Sequence, residues 1–252
     1  MTEIILLSII QGITEFLPIS SSAHLLLISN FFKFDNSNLT MDLSLHLGSL
    51  LAVMYHFKGD LKSFSKNKNL FRKIIFTCVP TTLFGFLLIK FNYIDSLRNY
   101  KVIAWSSIFF AILMYFSNLK IEKKNLKKNF SLKSAIIIGL FQTLSLIPGV
   151  SRAGITITTA RFLNFKRIDS AQIAFLTSLP ILIIISLYNI QKIYFQNSMD
   201  ISILNFIGIV FSFIFSYLAI RFFLVFLKKF NLNIFVAYRI ILGLIILLYV
   251  YR

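Results

Sequence analysis

Long runs of apolar residues follow one another along this chain, separated by short polar segments. Five runs approach or reach the length of a membrane span, near residues 74–89, 102–116, 173–188, 203–220 and 234–251. A helix needs roughly 20 residues to cross the hydrocarbon core of a bilayer. Because such runs continue along the chain, we do not expect the first apolar segment to be a cleaved signal peptide. The pattern predicts an all-α polytopic membrane protein with a single integral membrane domain over residues 1–252.

Two other apolar stretches are each interrupted by polar residues beside a proline. The first reads GITEFLPISSSAHLLL over residues 12–27, and the second reads GLFQTLSLIPGVSRAGITI over 139–157. Together they contain a carboxylate, a histidine, an arginine and several serines. Such groups are costly in a bilayer and are found there mainly where they have a function. We therefore expect the chemistry of the protein to lie at these two breaks.

The distribution of charge orients the chain in the membrane. Net charge is +17, but the Lys and Arg residues concentrate between apolar runs, with six each in 58–73 and 120–133 and three each in 161–167 and 221–229. The intervening loops, 31–42, 92–100 and 191–202, hold one each. The positive-inside rule places the four basic loops in the cytoplasm and the other three outside. The charge thus indicates contact with anionic membrane lipids and no nucleic acid partner.

The second broken segment lies between two loops that are both predicted to be cytoplasmic. It must enter and leave the membrane on the same side. This predicts a re-entrant hairpin of two short helices, near 134–147 and 154–162, with PGVSRAG at its tip. Irregular backbone at membrane depth is tolerated where it is buried in protein or lines a cavity. A hairpin of the same form at PISSS would enter from the outside.

The two halves of the chain share a loose pattern that predicts an inverted-topology repeat with two re-entrant helical hairpins. Each half has an apolar helix with a glutamine, Gln11 or Gln142, then a proline, Pro18 or Pro148, then a break that contains serine. The repeats would cover about residues 1–120 and 130–252. Inverted repeats whose broken helices meet near the midplane are a known membrane architecture.

Glu15 is the acidic residue that needs a partner. Of the nine acidic residues, it alone lies well inside an apolar stretch. An isolated buried carboxylate is prohibitively costly, so Glu15 requires a cation, a metal ion or a proton. Gln11 lies one turn earlier on the same helix face and can share that partner. The alternative is a protonated Glu15 bonded to a neighbouring helix.

Ser20, Ser21 and His24 follow the first break. We expect the Ser20 hydroxyl to cap the helix that begins there, at a helix start whose free amides also suit an anion. Ser21 and His24 are three residues apart and share a helix face, where the imidazole would activate the serine hydroxyl as a nucleophile. The alternative for His24 is a purely structural role.

Arg152 stands at the tip of the second break, flanked by two glycines. Its planar guanidinium suits phosphate oxygens, and glycines let a ligand approach the backbone closely. Ser151 and Thr156 add hydroxyl groups nearby. The alternative is that Arg152 pairs with Glu15 as a structural bridge and nothing more.

Four further polar residues lie in or beside the apolar runs. Asp42 and His46, four residues apart at the outer end of a helix, are expected to support the site from behind, as is Gln142. Arg239 also lies in an apolar run, near enough to the inner interface for its side chain to extend to water.

Brought together in one intramembrane cavity, these groups supply a nucleophile with a base, a carboxylate suited to a metal, a helix N-terminus and an arginine. That set fits phosphoryl chemistry on a lipid. The competing interpretation is a transporter or flippase of an anionic polyprenyl phosphate lipid, because helix ends aimed at an anion are typical of transport. A transporter would use Arg152 but would have no need of Ser21 beside His24.

The same residues closely resemble the signature motifs of the bacterial undecaprenyl-diphosphatase family, the bacitracin-resistance proteins. The resemblance is carried by QGITEFLPISSSAH at 11–24, DLSLHLG at 42–48, FQ at 141–142, PGVSRAGIT at 148–156 and AYR at 237–239. It implies an inner-membrane phosphatase that converts undecaprenyl diphosphate to the monophosphate carrier lipid for wall polymers. The active site is expected to open toward the outer face, and bacitracin to compete for the lipid. A homodimer is left open.

The resemblance also implies roles for individual residues. Those that match are Gln11 and Glu15 in the acidic motif, Ser21 and His24, and the phosphate-binding residues Ser151, Arg152 and Thr156, with Ser20 beside them. A divalent cation, Mg2+ or Ca2+, is expected at Glu15 and Gln11. Gln11 is often Glu in the family, so a metal ion here has one fewer anionic ligand. Ala153 stands where a second serine is common.

These roles suggest a mechanism. Arg152 would hold the diphosphate, and Ser21 would attack the terminal phosphorus while His24 handles the proton. Water as the nucleophile, with Ser21 only binding phosphate, stays open.

Overall fold

Helices account for the regular structure in the described part of the chain. The structure, a computed structural model, describes residues 2–34, 39–64, 68–91, 93, 97–195 and 203–252, and no strand occurs among them. Parts of the predicted outer loops, 35–38, 94–96 and 196–202, lie outside the described residues. The helices are α1 Thr2–Phe16, α2 Ser21–Phe32, α3 Leu39–His56, α4 Lys58–Phe64, α5 Lys68–Lys90, α6 Tyr100–Asn118, α7 Leu126–Asn129, α8 Leu132–Gln142, a 3-10 turn Thr143–Leu146, α9 Arg152–Phe162, α10 Arg167–Phe195, α11 Ile203–Lys229 and α12 Asn233–Val250.

Five of the described helices are long and apolar enough to cross a membrane: α5, α6, α10, α11 and α12. They coincide with the five apolar runs, so the prediction of a polytopic helical membrane protein is confirmed. Large apolar side chains remain exposed on these helices, among them Phe86, Phe222 and Leu248. A soluble protein rarely exposes so much continuous apolar surface, whereas a bilayer would cover it.

Each break separates two short helices, and the two breaks have the same backbone conformation where the second helix begins. The first break separates α1 from α2, and the second separates α8 and its 3-10 turn from α9. The residue just before the new helix is a serine with positive φ in each case, 75° at Ser20 and 68° at Ser151. A non-glycine residue rarely adopts this conformation, which indicates that tertiary contacts hold both breaks.

The helices pair in two matched sets. In one set α1 and α3 pack against α11, and in the other α8 and α10 pack against α5. Two further pairs, α3 with α10 and α6 with α12, join the halves of the chain. The short broken helices are thereby surrounded by longer ones.

Small residues let α3 and α11 approach closely. The Ser49 hydroxyl lies 3.2 Å from that of Ser212 and 3.0 Å from that of Ser216. A Cβ on Gly48 would lie 2.5 Å from the carbonyl oxygen of Ile209. Close backbone approach with interhelical hydroxyl bonds is how membrane helices associate without a hydrophobic driving force between them.

A buried arginine fixes the other end of α9, on the side predicted to be cytoplasmic. Arg161 is fully buried and donates hydrogen bonds to the backbone carbonyls of Phe165 and Lys120. Glu122 pairs with Arg161 at 3.7 Å and with Arg167 at 3.2 Å. The second broken segment is therefore anchored at its base as well as at its tip.

We predict that Gly48→Ala lowers the free energy of unfolding by about 1–3 kcal/mol, because the added methyl group forces α3 away from α11. The measurement is SDS titration of the purified protein in mixed micelles. The matched control is Gly59→Ala in α4, where an added Cβ has no neighbour within 4 Å. Equal stability of the two variants would contradict the close packing of α3 on α11.

Candidate active site

An ion pair joins the two breaks. Arg152, the first residue of α9, donates from Nη2 to Oε1 of Glu15 in the last turn of α1, at 2.7 Å. The side chains are only 12% and 10% exposed. The structure therefore supplies the cation that the sequence required for Glu15. A second Arg152 nitrogen, Nη1, donates to the carbonyl of Ala174 at 3.3 Å.

The other carboxylate oxygen of Glu15 accepts two more hydrogen bonds. Gln11 Nε2 donates to Oε2 at 3.0 Å, and the Ser21 hydroxyl donates to the same oxygen at 2.7 Å. A carboxylate that accepts from a guanidinium, an amide and a hydroxyl is arranged as an ion. This disfavours the protonated alternative for Glu15.

The predicted pair of Ser21 and His24 is wrong, because their side chains bond elsewhere. His24 Nδ1 lies 2.7 Å from the carbonyl oxygen of Ser20, and Nε2 lies 2.6 Å from the Tyr238 hydroxyl. A carbonyl only accepts, so Nδ1 carries a proton, and in the neutral form of the ring Nε2 accepts from Tyr238. Helical side chains lean toward the N-terminus, which brings the imidazole onto the preceding carbonyl. Ser21 turns to Glu15 instead.

The predicted cap by Ser20 is also wrong. Its side chain makes no capping hydrogen bond to α2, because its hydroxyl lies 3.3 Å from that of Ser22 instead. Ser151 takes the capping role at the second break, where its hydroxyl accepts from the amide of Gly154 at 3.1 Å. The two serines share a backbone conformation but differ in what their hydroxyls bind.

Thr156 and Gln142 hold the second hairpin together. The Thr156 hydroxyl donates to Gln142 Oε1 at 3.2 Å, and Gln142 Nε2 donates to the Thr81 hydroxyl at 3.1 Å. Thr156 and Gln142 have no exposed surface. The structure therefore joins Gln142 to Thr156 inside the second hairpin, and neither residue lines the cavity at the first break.

A cavity of about 230 Å³ reaches the first break. Its polar lining residues are Gln11, Ser21, Ser22, Ser29, Asp42, His46 and Arg98. His46 Nδ1 is bonded to the carbonyl of Asp42 at 2.8 Å. Asp42 and His46 thus line the cavity directly, instead of supporting the site from behind. Ser21 and Gln11 both line the cavity and both bond Glu15 of the ion pair.

Arg239 holds both breaks, a role that the sequence did not reveal. The expectation that its side chain extends to the inner interface is wrong, since the residue is 1% exposed. It donates to the carbonyl of Gly149 at 2.9 Å and to that of Pro18 at 3.5 Å. The available signal was an arginine inside an apolar run beside Tyr238, because such residues face the interior and bond backbone carbonyls.

The residues of the first break also fit part of a divalent cation site. Gln11 must turn Nε2 toward the Glu15 carboxylate, and its buried Oε1 then has no hydrogen-bond partner among the described residues. An orphaned carbonyl oxygen beside a carboxylate offers the hard oxygen ligands that Mg2+ and Ca2+ prefer. No group of three or more His, Cys, Asp or Glu that could hold a metal occurs in the described part of the chain. Such an ion would therefore draw its other ligands from phosphate and water.

Comparisons with known proteins agree with the motifs. The family model described as bacitracin resistance protein BacA matches residues 4–245. An undecaprenyl-diphosphatase of Pelagibacter ubique is 43% identical over 99% of this chain and 98% of that protein. Proteins of the same name are similar from Saccharophagus degradans, at 38% over 95% of this chain and 94% of that protein, and from Alteromonas mediterranea, at 36% over 99% and 98%.

We predict that Arg239→Lys lowers the free energy of unfolding by about 1–2 kcal/mol, because an ammonium has no planar fork to reach both carbonyls. SDS titration of the purified protein measures the effect. The control is the exposed Arg221→Lys on α11. Wild-type stability in Arg239→Lys would show that the two breaks do not depend on this residue.

Proposed function

The chain belongs to the bacitracin resistance protein BacA family, and we propose on that premise that it hydrolyses undecaprenyl diphosphate to undecaprenyl phosphate and inorganic phosphate. The similar proteins that carry the name undecaprenyl-diphosphatase cover nearly all of this chain. The product is the carrier lipid of cell-wall synthesis. Bacitracin competes for the same diphosphate lipid, so turnover of that lipid gives resistance. The observation that carries the proposal is the Ser21 hydroxyl bonded to Glu15, which in turn is paired with Arg152.

Ser21 is the proposed nucleophile, and Glu15 its base. The Ser21 hydroxyl already donates to Glu15 Oε2 at 2.7 Å, so the proton has an acceptor as the Oγ attacks the terminal phosphorus. A bond forms between Oγ and phosphorus, and the bond from phosphorus to the bridging oxygen breaks. Undecaprenyl phosphate leaves as an anion and needs no proton donor, since the second pKa of a phosphate monoester is about 6. Water then attacks the phosphorus of the phosphoserine, the bond from phosphorus to Oγ breaks, inorganic phosphate leaves, and Oγ regains the proton held by Glu15.

Arg152 is the proposed phosphate ligand. Two of its N–H groups are bonded to Glu15 and to the carbonyl of Ala174, which leaves three of the five donors of a guanidinium for phosphate oxygens. The free amides at the start of α2, beside Ser21 and Ser22, add a favourable electrostatic environment for the same anion. Ser151 keeps the start of α9 in place through its cap.

His24 positions the first break in this scheme instead of taking the proton. Its bonds to the Ser20 carbonyl and to Tyr238 connect the start of α2 to α12. The Ser20 backbone has positive φ, and this bond helps to hold it. The position of the neighbouring Ser21 hydroxyl depends on that backbone.

A divalent cation, Mg2+ or Ca2+, belongs to the proposal. Glu15 and the unpartnered Oε1 of Gln11 would hold it. When bound, it would neutralise negative charge on the phosphoryl group that is transferred.

We also propose that the protein lies in the bacterial plasma membrane as an inverted repeat of two re-entrant hairpins. In this repeat α1, α2, α3, α5 and α6 correspond to α8, α9, α10, α11 and α12. If each helix is replaced by its counterpart in the other half, the contact of α1 with α11 becomes the contact of α8 with α5, and both are observed. In the same way the contact of α3 with α11 becomes the contact of α10 with α5, and both are observed. The contacts of α3 with α10 and of α6 with α12 are each converted into themselves. This agreement supports the repeat.

The cavity is proposed to open toward the outer face. Asp42, in the first turn of α3, and Arg98, just before α6, lie beside the loops that the positive-inside rule places outside. The opposite end carries the basic loops and the Arg161 cluster. Undecaprenyl diphosphate would therefore be hydrolysed where the wall polymer is assembled.

A transporter or flippase of an anionic polyprenyl phosphate is the second candidate, since a repeat of this kind is common in transporters. The arrangement at Ser21 favours the enzyme. A transporter has use for Arg152 as an anion ligand, but a serine hydroxyl aligned on a buried carboxylate contributes nothing to transport.

We predict that wild-type protein in detergent releases phosphate from undecaprenyl diphosphate and that Ser21→Ala lowers kcat by about a thousandfold or more, as loss of a nucleophile does. Ser22→Ala is the control, because Ser22 lines the same cavity without bonding Glu15. It should keep most of the activity. Single-turnover labelling should place phosphate on Ser21. Release without a labelled serine would favour water as the nucleophile, and no release by folded wild type would favour the transporter.

We predict that Gln11→Glu lowers the Mg2+ or Ca2+ concentration needed for half-maximal activity by about tenfold, because an added carboxylate strengthens a hard-cation site. Gln11→Leu should raise it. EDTA should abolish the activity of the wild type. The control is Gln191→Glu on the exposed end of α10. An unchanged metal requirement in both Gln11 variants would exclude Gln11 as a metal ligand.

A further inference from the structure

One cation at the cavity has no role in the scheme above. Arg98 lines the cavity together with Ser21 and Gln11, and it is exposed. No hydrogen bond or ion pair joins Arg98 to another described residue. The next residue, Asn99, caps α6 by accepting from the amide of Val102 at 2.9 Å. The backbone that carries Arg98 is therefore fixed, while its guanidinium remains available.

The charge of the substrate exceeds the charge available deeper in the site. The terminal phosphate of a diphosphate lipid carries about −1.5 to −2 at neutral pH, and the inner phosphate adds a further negative charge. Arg152 is already paired with Glu15, so that pair has no net charge. Asp42 brings another negative charge to the cavity wall. A divalent cation would offset only part of this excess.

Arg98 is placed to offset the remaining negative charge. Both Arg98 and Lys192 lie close enough to Asp42 to act on it electrostatically, but Lys192 does not line the cavity. Guanidinium groups bind phosphate oxygens through two parallel hydrogen bonds. Ser21 and Arg98 line the same cavity, so Arg98 borders the space that the second phosphate of a ligand at Ser21 would enter.

We propose that Arg98 is a phosphate-binding residue that holds the phosphate Arg152 does not contact, and so favours diphosphate over monophosphate lipids. This inference rests on the proposed function. It also favours release of the product, because undecaprenyl phosphate has one phosphate and cannot bind Arg152 and Arg98 together.

The test compares three variants of the full-length protein in detergent: Arg98→Gln, Arg98→Lys and Lys192→Gln. For Arg98→Gln we expect KM for undecaprenyl diphosphate to rise about tenfold, the factor that one charge-assisted hydrogen bond supplies, with little change in kcat. Inhibition by undecaprenyl phosphate should change much less. Arg98→Lys should recover part of the loss, and Lys192→Gln should match the wild type.

Binding without turnover separates this inference from the proposed function. Undecaprenyl diphosphate is titrated into Ser21→Ala and into Ser21→Ala with Arg98→Gln, and the dissociation constants should again differ about tenfold. Equal dissociation constants would overturn the role of Arg98. An equal loss in Lys192→Gln would also overturn it, because the effect would then be long-range charge. Failure of the wild type to release phosphate would instead overturn the proposed function.

Discussion

The rest of the structure depends on the buried ion pair between Glu15 and Arg152. Neither charge can remain alone at membrane depth, so the first break and the second must meet. Arg239 adds a second connection by donating to a carbonyl of each break. Helix lengths follow from this requirement: α1, α2, α8 and α9 are short because each ends or begins at the shared polar centre, while the surrounding helices are long enough to span the membrane.

The same ion pair also determines where the candidate catalytic groups lie. Glu15 is held by Arg152 on one oxygen, so its other oxygen faces the start of α2, where Ser21 donates to it. The strained backbone of Ser20 is stabilised by His24, which is in turn bonded to α12. In the proposed scheme this ion pair also supplies the base for the nucleophile, so the two interpretations that the sequence offers for the pair are compatible. The contact with Arg152 uses Oε1 of Glu15, and the proposed catalytic contact with Ser21 uses Oε2.

The features that depend on residues close together in the sequence could be predicted from the sequence alone. The five spans follow from the length of the apolar runs, and the need of Glu15 for a cation follows from its burial. The partner of His24 could not be predicted in this way, because the Tyr238 hydroxyl comes from 214 residues away. The sequence does not show that the Thr156 hydroxyl donates to Gln142 in the folded chain. The depth of Arg239 in the membrane could not be predicted either, because it depends on the carbonyls at both breaks, which come together only when the chain folds.

A double-mutant cycle on Glu15→Gln and Arg152→Met tests the ion pair most directly, with free energies of unfolding measured by SDS titration. Each single variant leaves one buried group without its partner, and we expect it to lose about 3 kcal/mol or more. The double variant should regain most of that stability and still release no phosphate. Losses that simply add in the double variant would contradict the pairing, and phosphate release by the stable double variant would contradict its place in catalysis.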